Sequence, residues 1–204
     1  MTAAPRVFVG VHRCVPRPPQ SWRPEHVAEA ALGEAIDLAS RARWRGPYEF
    51  PEGPSTHAFV VTDLRHLPGG EPYDRYRLDA AFPVATWERY ASPHWPTLLW
   101  EITEGDLSAA DSRATALVGS PYDPVELSAQ LARGAIPELS AGLAHAWICS
   151  TMVCEVMHAA GGSVATLAAQ IADGDAYPAE VARRLRYAEG WCVRRVNPVT
   201  LEAT

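Results

Sequence analysis

The chain has 204 residues, 48% of them hydrophobic and 21% charged, so it can build one substantial core and is too short for two ordinary domains to be expected. Its 18 basic residues are all arginine, 24 acidic residues outnumber them, and the net charge is −6. Those arginines stand singly or in pairs such as Arg183-Arg184, which excludes the concentrated basic stripe that a nucleic-acid footprint needs.

Val7 to Val11 reads as a short strand, and the Pro-rich connector from Pro16 to Pro24 cannot be helical in its middle. Pro24 suits a first helical turn, and Val27, Ala28, Ala31, Leu32, Ala35 and Ile36 recur at helical spacing toward Arg43. Gly46 to Ser55, rich in Pro and Gly, predicts an irregular loop that delivers the chain into a β-rich run, Thr56 to Val61. After a Gly69-Gly70 turn and a polar stretch rich in Arg and Tyr, Phe82 to Tyr90 fits either a strand or a short helix. Thr97 to Thr103 is the second clear strand, closed by the turn Glu104-Gly105-Asp106, and Thr115 to Val118 is a candidate third. Pro121-Tyr122-Asp123-Pro124 breaks the strand pattern and can start a helix running through Ala132.

Cys149 to Ala160 has helical composition and ends at Gly161-Gly162, as a helix C-terminus should. Helices over Ser163 to Ala172 and Pro178 to Ala188 precede a last strand, Trp191 to Val196. The expected fold class is α+β, a single domain over 1–204 with a small antiparallel sheet packed against helices. The apolar stretch from Ala141 to Met157 is interrupted by His145, Cys149, Ser150, Thr151 and Glu155, so no membrane span is expected. Met1 to Gly10 lacks the apolar core of a secretory signal, so a cytoplasmic setting is expected.

Four scattered cysteines, Cys14, Cys149, Cys154 and Cys192, do not make a disulfide framework, and reduced thiols are expected. Cys149 stands at a helix start, where unpaired N–H groups and the helix dipole favour an anion, so its thiolate is the candidate nucleophile. A thiolate needs a base, and His57, at the start of an apolar strand behind a Gly/Pro loop, is the candidate. An acceptor must hold that imidazole in the right tautomer. Glu101, which interrupts the apolar run Leu98-Leu99-Trp100-Glu101-Ile102, is the candidate, unless strand alternation points it to solvent.

The order of histidine on a strand, glutamate on a second strand and cysteine at a helix start resembles the circularly permuted, papain-like NlpC/P60 group, which includes YiiX-like and lecithin retinol acyltransferase-like proteins. The resemblance is carried by Thr56-His57-Ala58-Phe59-Val60-Val61, Leu99-Trp100-Glu101-Ile102, Ser120-Pro121-Tyr122-Asp123, Trp147-Ile148-Cys149-Ser150-Thr151-Met152-Val153 and Tyr177-Pro178-Ala179-Glu180-Val181. It covers residues 56–196 as a permuted papain-like core, with 1–50 as an N-terminal extension of a strand and a helix. Thr151 departs from the acidic residue common in the group at that place. The resemblance implies a thiol hydrolase or acyltransferase that works on an amide or ester through an acyl-enzyme on Cys149, with peptidoglycan-type peptides among the substrates. It also implies that Tyr122 lines the cleft, and it needs no cofactor and no metal.

One rival keeps the scaffold without the chemistry, as a binding or structural module in an assembly such as a virus particle. Trp87 and Trp95 would then serve a protein interface, where in an enzyme they would bind substrate. A second rival, a metal-dependent hydrolase using some of His12, His66, His94, His145 and His158, has no HExxH or HxH element to support it.

Overall fold

In Val7-Phe8-Val9-Gly10-Val11-His12 every residue is buried, which a strand achieves only when both of its faces are covered. A computed structural model of the chain describes residues 5–13, 31, 34–38, 41, 47–51, 53–62, 76–80, 84–90, 96–122, 148–173 and 176–204. It places this strand, β1 (Val7–His12), inside a six-stranded antiparallel sheet. The others are β2 (His57–Thr62), β3 (Tyr76–Ala80), β4 (Ala85–Arg89), β5 (Thr97–Ile102) and β6 (Val193–Val196), in the order β4-β3-β2-β1-β5-β6. The N-terminal strand β1 pairs with both β2 and β5, so it lies inside the sheet.

Strand alternation sorts the side chains into two layers. Val7, Val9, Val11, Ala58, Val60, Leu78, Trp100 and Ile102 join the larger core cluster, which also takes in the helices. The opposite layer is smaller, built from Phe8, Phe59, Val61, Leu99, Val196 and Leu201 with Tyr90 against them. There Tyr90 donates its hydroxyl to the Pro198 carbonyl at 2.8 Å, which ties the C-terminal segment to the sheet.

Gly10 belongs to this second layer, and a Cβ there would collide with Cζ of the buried Phe59 ring. Gly10→Ala is expected to destabilise the fold by about 1–3 kcal/mol through overpacking. A urea midpoint equal to that of the wild type would show instead that Phe59 yields freely.

Helices α1 (Leu107–Ala116), α2 (Cys149–Ala160), α3 (Gly162–Asp173) and α4 (Pro178–Tyr187) follow among the described residues; α1, α2 and α4 touch the sheet, and α3 packs on α2 and α4. Residues 34–38 are helical as well, in keeping with the N-terminal helix read from the sequence. Thr115 and the residues before it form a helix, not the third strand expected at 115–118. Asp106 caps its start by accepting from the Ala109 N–H at 3.0 Å, and the Thr115 hydroxyl donates back to the Asp111 carbonyl at 3.0 Å. Gly105, at φ 93°, lets the turn before this helix press against the carbonyl of Ala160, which accepts from the Asp106 N–H at 2.7 Å.

In α2, Met152, Val153, Val156, Met157 and Ala160 repeat at three and four residues, so one stripe of the helix is buried against the sheet. Gly161, at φ 75°, ends it and starts the reversal into α3. Pro178 opens α4, whose buried Glu180 accepts from Arg183 at 2.6 and 2.8 Å and from Arg184 at 2.7 Å. Phe82 to Tyr90 resolves as strand over 85–89, and β3 occupies what the sequence presents as a polar stretch. The helix expected from Pro124 through Ala132 lies outside the described residues. No helix among the described residues is long and apolar enough to cross a membrane.

Candidate active site

Cys149 is the first residue of α2, and the residue at the cap position before it is Ile148, extended at φ −104° and ψ 165°. Helices usually place Ser, Thr, Asp or Asn there, whose oxygen takes one of the first N–H groups. Isoleucine has no acceptor, so the cap leaves the N–H groups of the first turn to an anion from elsewhere. The Ile148 backbone itself is held by Thr151, whose hydroxyl accepts from the Ile148 N–H and donates to its carbonyl, both at 3.1 Å. The Ala58 N–H on β2 donates to the Cys149 sulfur.

His57 opens β2 at the end of a pinned loop. The Thr56 N–H donates to the His12 carbonyl at 3.1 Å, Ser55 is bound to Glu49, and Arg13 donates to the Pro54 carbonyl at 2.8 Å. Arg13 also pairs with Asp37 at 2.6 Å, joining this loop to the helical residues 34–38. One ring nitrogen of His57, Nε2, lies 2.6 Å from Oδ1 of Asp79, and the ring is also hydrogen-bonded to the Cys149 sulfur.

The register explains why Asp79 is the partner. β2 and β3 pair Val60 with Leu78 and Val61 with Arg77, so the next pair is Phe59 with Asp79, and His57 lies on the same face one diagonal step away. The second carboxylate oxygen, Oδ2, accepts from Arg77 at 2.6 Å. Arg77 in turn reaches Glu88 at 2.8 Å and lies over the Phe59 ring at 5.3 Å.

Glu101, expected to orient the histidine, does not reach it. His12 stands opposite both His57 and Thr97, whereas Glu101 is opposite Phe8, four residues further along β5 and about 13 Å down the sheet. It binds Arg6 at 2.7 Å and Arg194 at 2.5 Å instead. A carboxylate interrupting an apolar strand does need partners, but they are two arginines from the sheet's periphery. Burial opposes its charge, and the bonds from Arg6 and Arg194 outweigh that and hold its pKa below the usual carboxylate value.

On balance the electrostatics of the Cys149–His57–Asp79 row favour separated charge, with the Asp79 carboxylate itself opposing the thiolate. Burial alone would raise the thiol, but the charge and hydrogen bond of His57, with the Ala58 N–H, bring Cys149 below an ordinary cysteine. Burial would lower His57, yet Asp79 and the thiolate raise it well above an ordinary histidine. Asp79 is likewise opposed by burial and held well below the usual carboxylate value by His57 and then Arg77. The opposite holds for Cys154, which burial pushes up to about 12, and Cys192 is raised by burial too. All three described cysteines are free.

Cys149 is 7% exposed and the His57 side chain 18%, so the row reaches solvent mainly along the imidazole edge. Trp87 and Tyr122 are half-buried against the larger core, and the Trp87 indole N–H is buried without a partner among the described residues. Trp95 lies outside the described residues, as do Cys14, His66, His94 and His145. A groove of about 470 Å³ lined by Thr97, Leu98, Glu189, Arg195 and Asn197 contains none of the row. No group of three or more His, Cys, Asp or Glu able to hold a metal exists among the described residues.

Asp79 is the member of the row that sequence reasoning does not single out. The signal available is the alternation in Tyr76-Arg77-Leu78-Asp79-Ala80, which places Arg77 and Asp79 on one face and Leu78 on the other. No family model, curated protein or solved structure matches the chain.

Proposed function

We propose that the chain is a thiol hydrolase that cleaves an amide or ester bond through an acyl-enzyme on Cys149. One observation carries this reading: a thiol at an uncapped helix start shares an imidazole with a buried carboxylate, and each neighbour favours the charged form of the next. The histidine strand precedes the cysteine helix within an antiparallel α+β fold, which agrees with the resemblance to the permuted papain-like group.

The Cys149 thiolate attacks the substrate carbonyl carbon, and the developing oxyanion is met by N–H groups at the start of α2. His57, protonated in the resting pair, gives its proton to the departing amine or alkoxide as the carbonyl–leaving-group bond breaks. The neutral imidazole then takes a proton from water, whose oxygen attacks the thioester. The C–S bond breaks, the acid leaves, and the thiolate–imidazolium pair is restored. Asp79 keeps the ring oriented and stabilises its positive charge. Peptides, including those of the peptidoglycan type, and other acyl amides or esters are the substrate classes.

The test is p-nitrophenyl acetate with the full chain. The expected result is a burst of nitrophenol of one equivalent and an acetyl group on the peptide that contains Cys149. Rate against pH should form a bell: it falls on the acid side as the thiolate is protonated, below an ordinary thiol's pKa, and on the alkaline side as the imidazolium deprotonates, above an ordinary histidine's. Absence of both burst and adduct would favour a scaffold that binds without catalysis.

A further inference from the structure

Two rings lie against the imidazole of His57, and His12 is the nearer, with centroids 4.8 Å apart and planes at 29°; Phe59 follows at 6.5 Å. His12 is 5% exposed and stands directly opposite His57 across the β1–β2 pair. Its own backbone is fixed, because its carbonyl accepts from the Thr56 N–H at 3.1 Å and the next residue's N–H donates to Pro96 at 3.2 Å. His12 is therefore a wall set by the sheet. The rotation that most easily misdirects an imidazole is the terminal torsion, whose energy well is broad. A rigid ring stacked on one face restricts that rotation.

We propose that His12 is a positioning residue, whose stacked ring holds the His57 imidazole in the plane where one nitrogen meets Asp79 and the other meets Cys149. The inference rests on the thiol hydrolase reading of the site. The chemistry of His12 also suits that role. Burial, then the charges of His57 and Arg77, drive the His12 pKa down to about 2 against the opposing pull of Asp79, so its ring stays neutral beside an imidazolium. A neutral aromatic face attracts that cation, where a second charged imidazole would repel it. The charged groups around His57 are then Cys149 from α2 and Asp79 and Arg77 from β3, and His12 adds no charge to them.

The test is the pH dependence of iodoacetamide alkylation at Cys149, followed by peptide mass spectrometry in the full chain for wild type, His12→Phe, His12→Gln and His12→Ala. Phenylalanine keeps the stacked ring and should reproduce the wild-type profile. Glutamine and alanine let the ring turn away from the hydrogen bond that lowers the thiol, so they should move the acid limb up by about one pH unit and slow labelling below it about tenfold. Glutamine keeps volume and polarity and supplies the answer if the alanine variant does not fold. Profiles of His12→Gln or His12→Ala that superimpose on the wild type overturn the inference, as does a His12→Phe profile displaced like that of alanine. A wild-type limb already at the position of an ordinary thiol overturns the thiolate–imidazolium reading itself, and this inference with it.

Discussion

Cys149→Ala should abolish the nitrophenol burst and leave any residual hydrolysis at least about 10³-fold below the wild type, because no other described thiol can take its place. Cys154 lies five residues further along α2 with its pKa pushed up to about 12, and Cys192 is fully buried with its own raised. Neither supplies a thiolate at neutral pH. The fold should survive, since alanine is the best helix former and His57 keeps Asp79 as its partner. Circular dichroism and the thermal midpoint check that point. Turnover retained in a folded Cys149→Ala chain rejects the mechanism.

The second large effect separates two carboxylates. Asp79→Asn should slow acylation about 10²-fold or more, with KM little changed, because the amide neither stabilises the imidazolium nor enforces the same tautomer. His57 then loses the charge that raises it, so the alkaline limb of the bell, where the imidazolium deprotonates, should move to lower pH. Glu101→Gln should leave the rate within about twofold. Its partners Arg6 and Arg194 are 37% and 54% exposed, so solvent screens those ion pairs and the stability loss should stay within about 1 kcal/mol. A reversed ranking of the two variants in a burst assay would return the orienting role to Glu101.

The contrast between these carboxylates shows what a sequence encodes locally and what it does not. β1, β2 and β5 are legible because apolar side chains serve both layers of the sheet, and α2 is legible because its stripe repeats and two glycines end it. α1 is not, since the residues it buries are Ala110 and Ala114, too small to leave a hydrophobic period. β3 is hidden by the polar residues it carries, because Arg77 and Asp79 face the same side as His57 and Leu78 is left to report the core. Glu101 and Asp79 pose the same question, a carboxylate needing a partner. The answers lie 95 and 22 residues away, and only strand register distinguishes them. In the sequence His12 draws notice only for metal binding, because its place beside His57 is a product of pairing across two distant strands.

The position of α2 in the chain order has a bearing on biosynthesis. Strands β1 to β5 all emerge before residue 103, and α2 starts at residue 149. At about 5–20 residues per second, the ribosome leaves Val60 on β2 and Leu78 on β3 waiting on the order of several seconds for their α2 cover. By the same order, the Cys149 sulfur meets the Ala58 N–H and the His57 ring only when α2 docks onto a strand made more than 80 residues earlier.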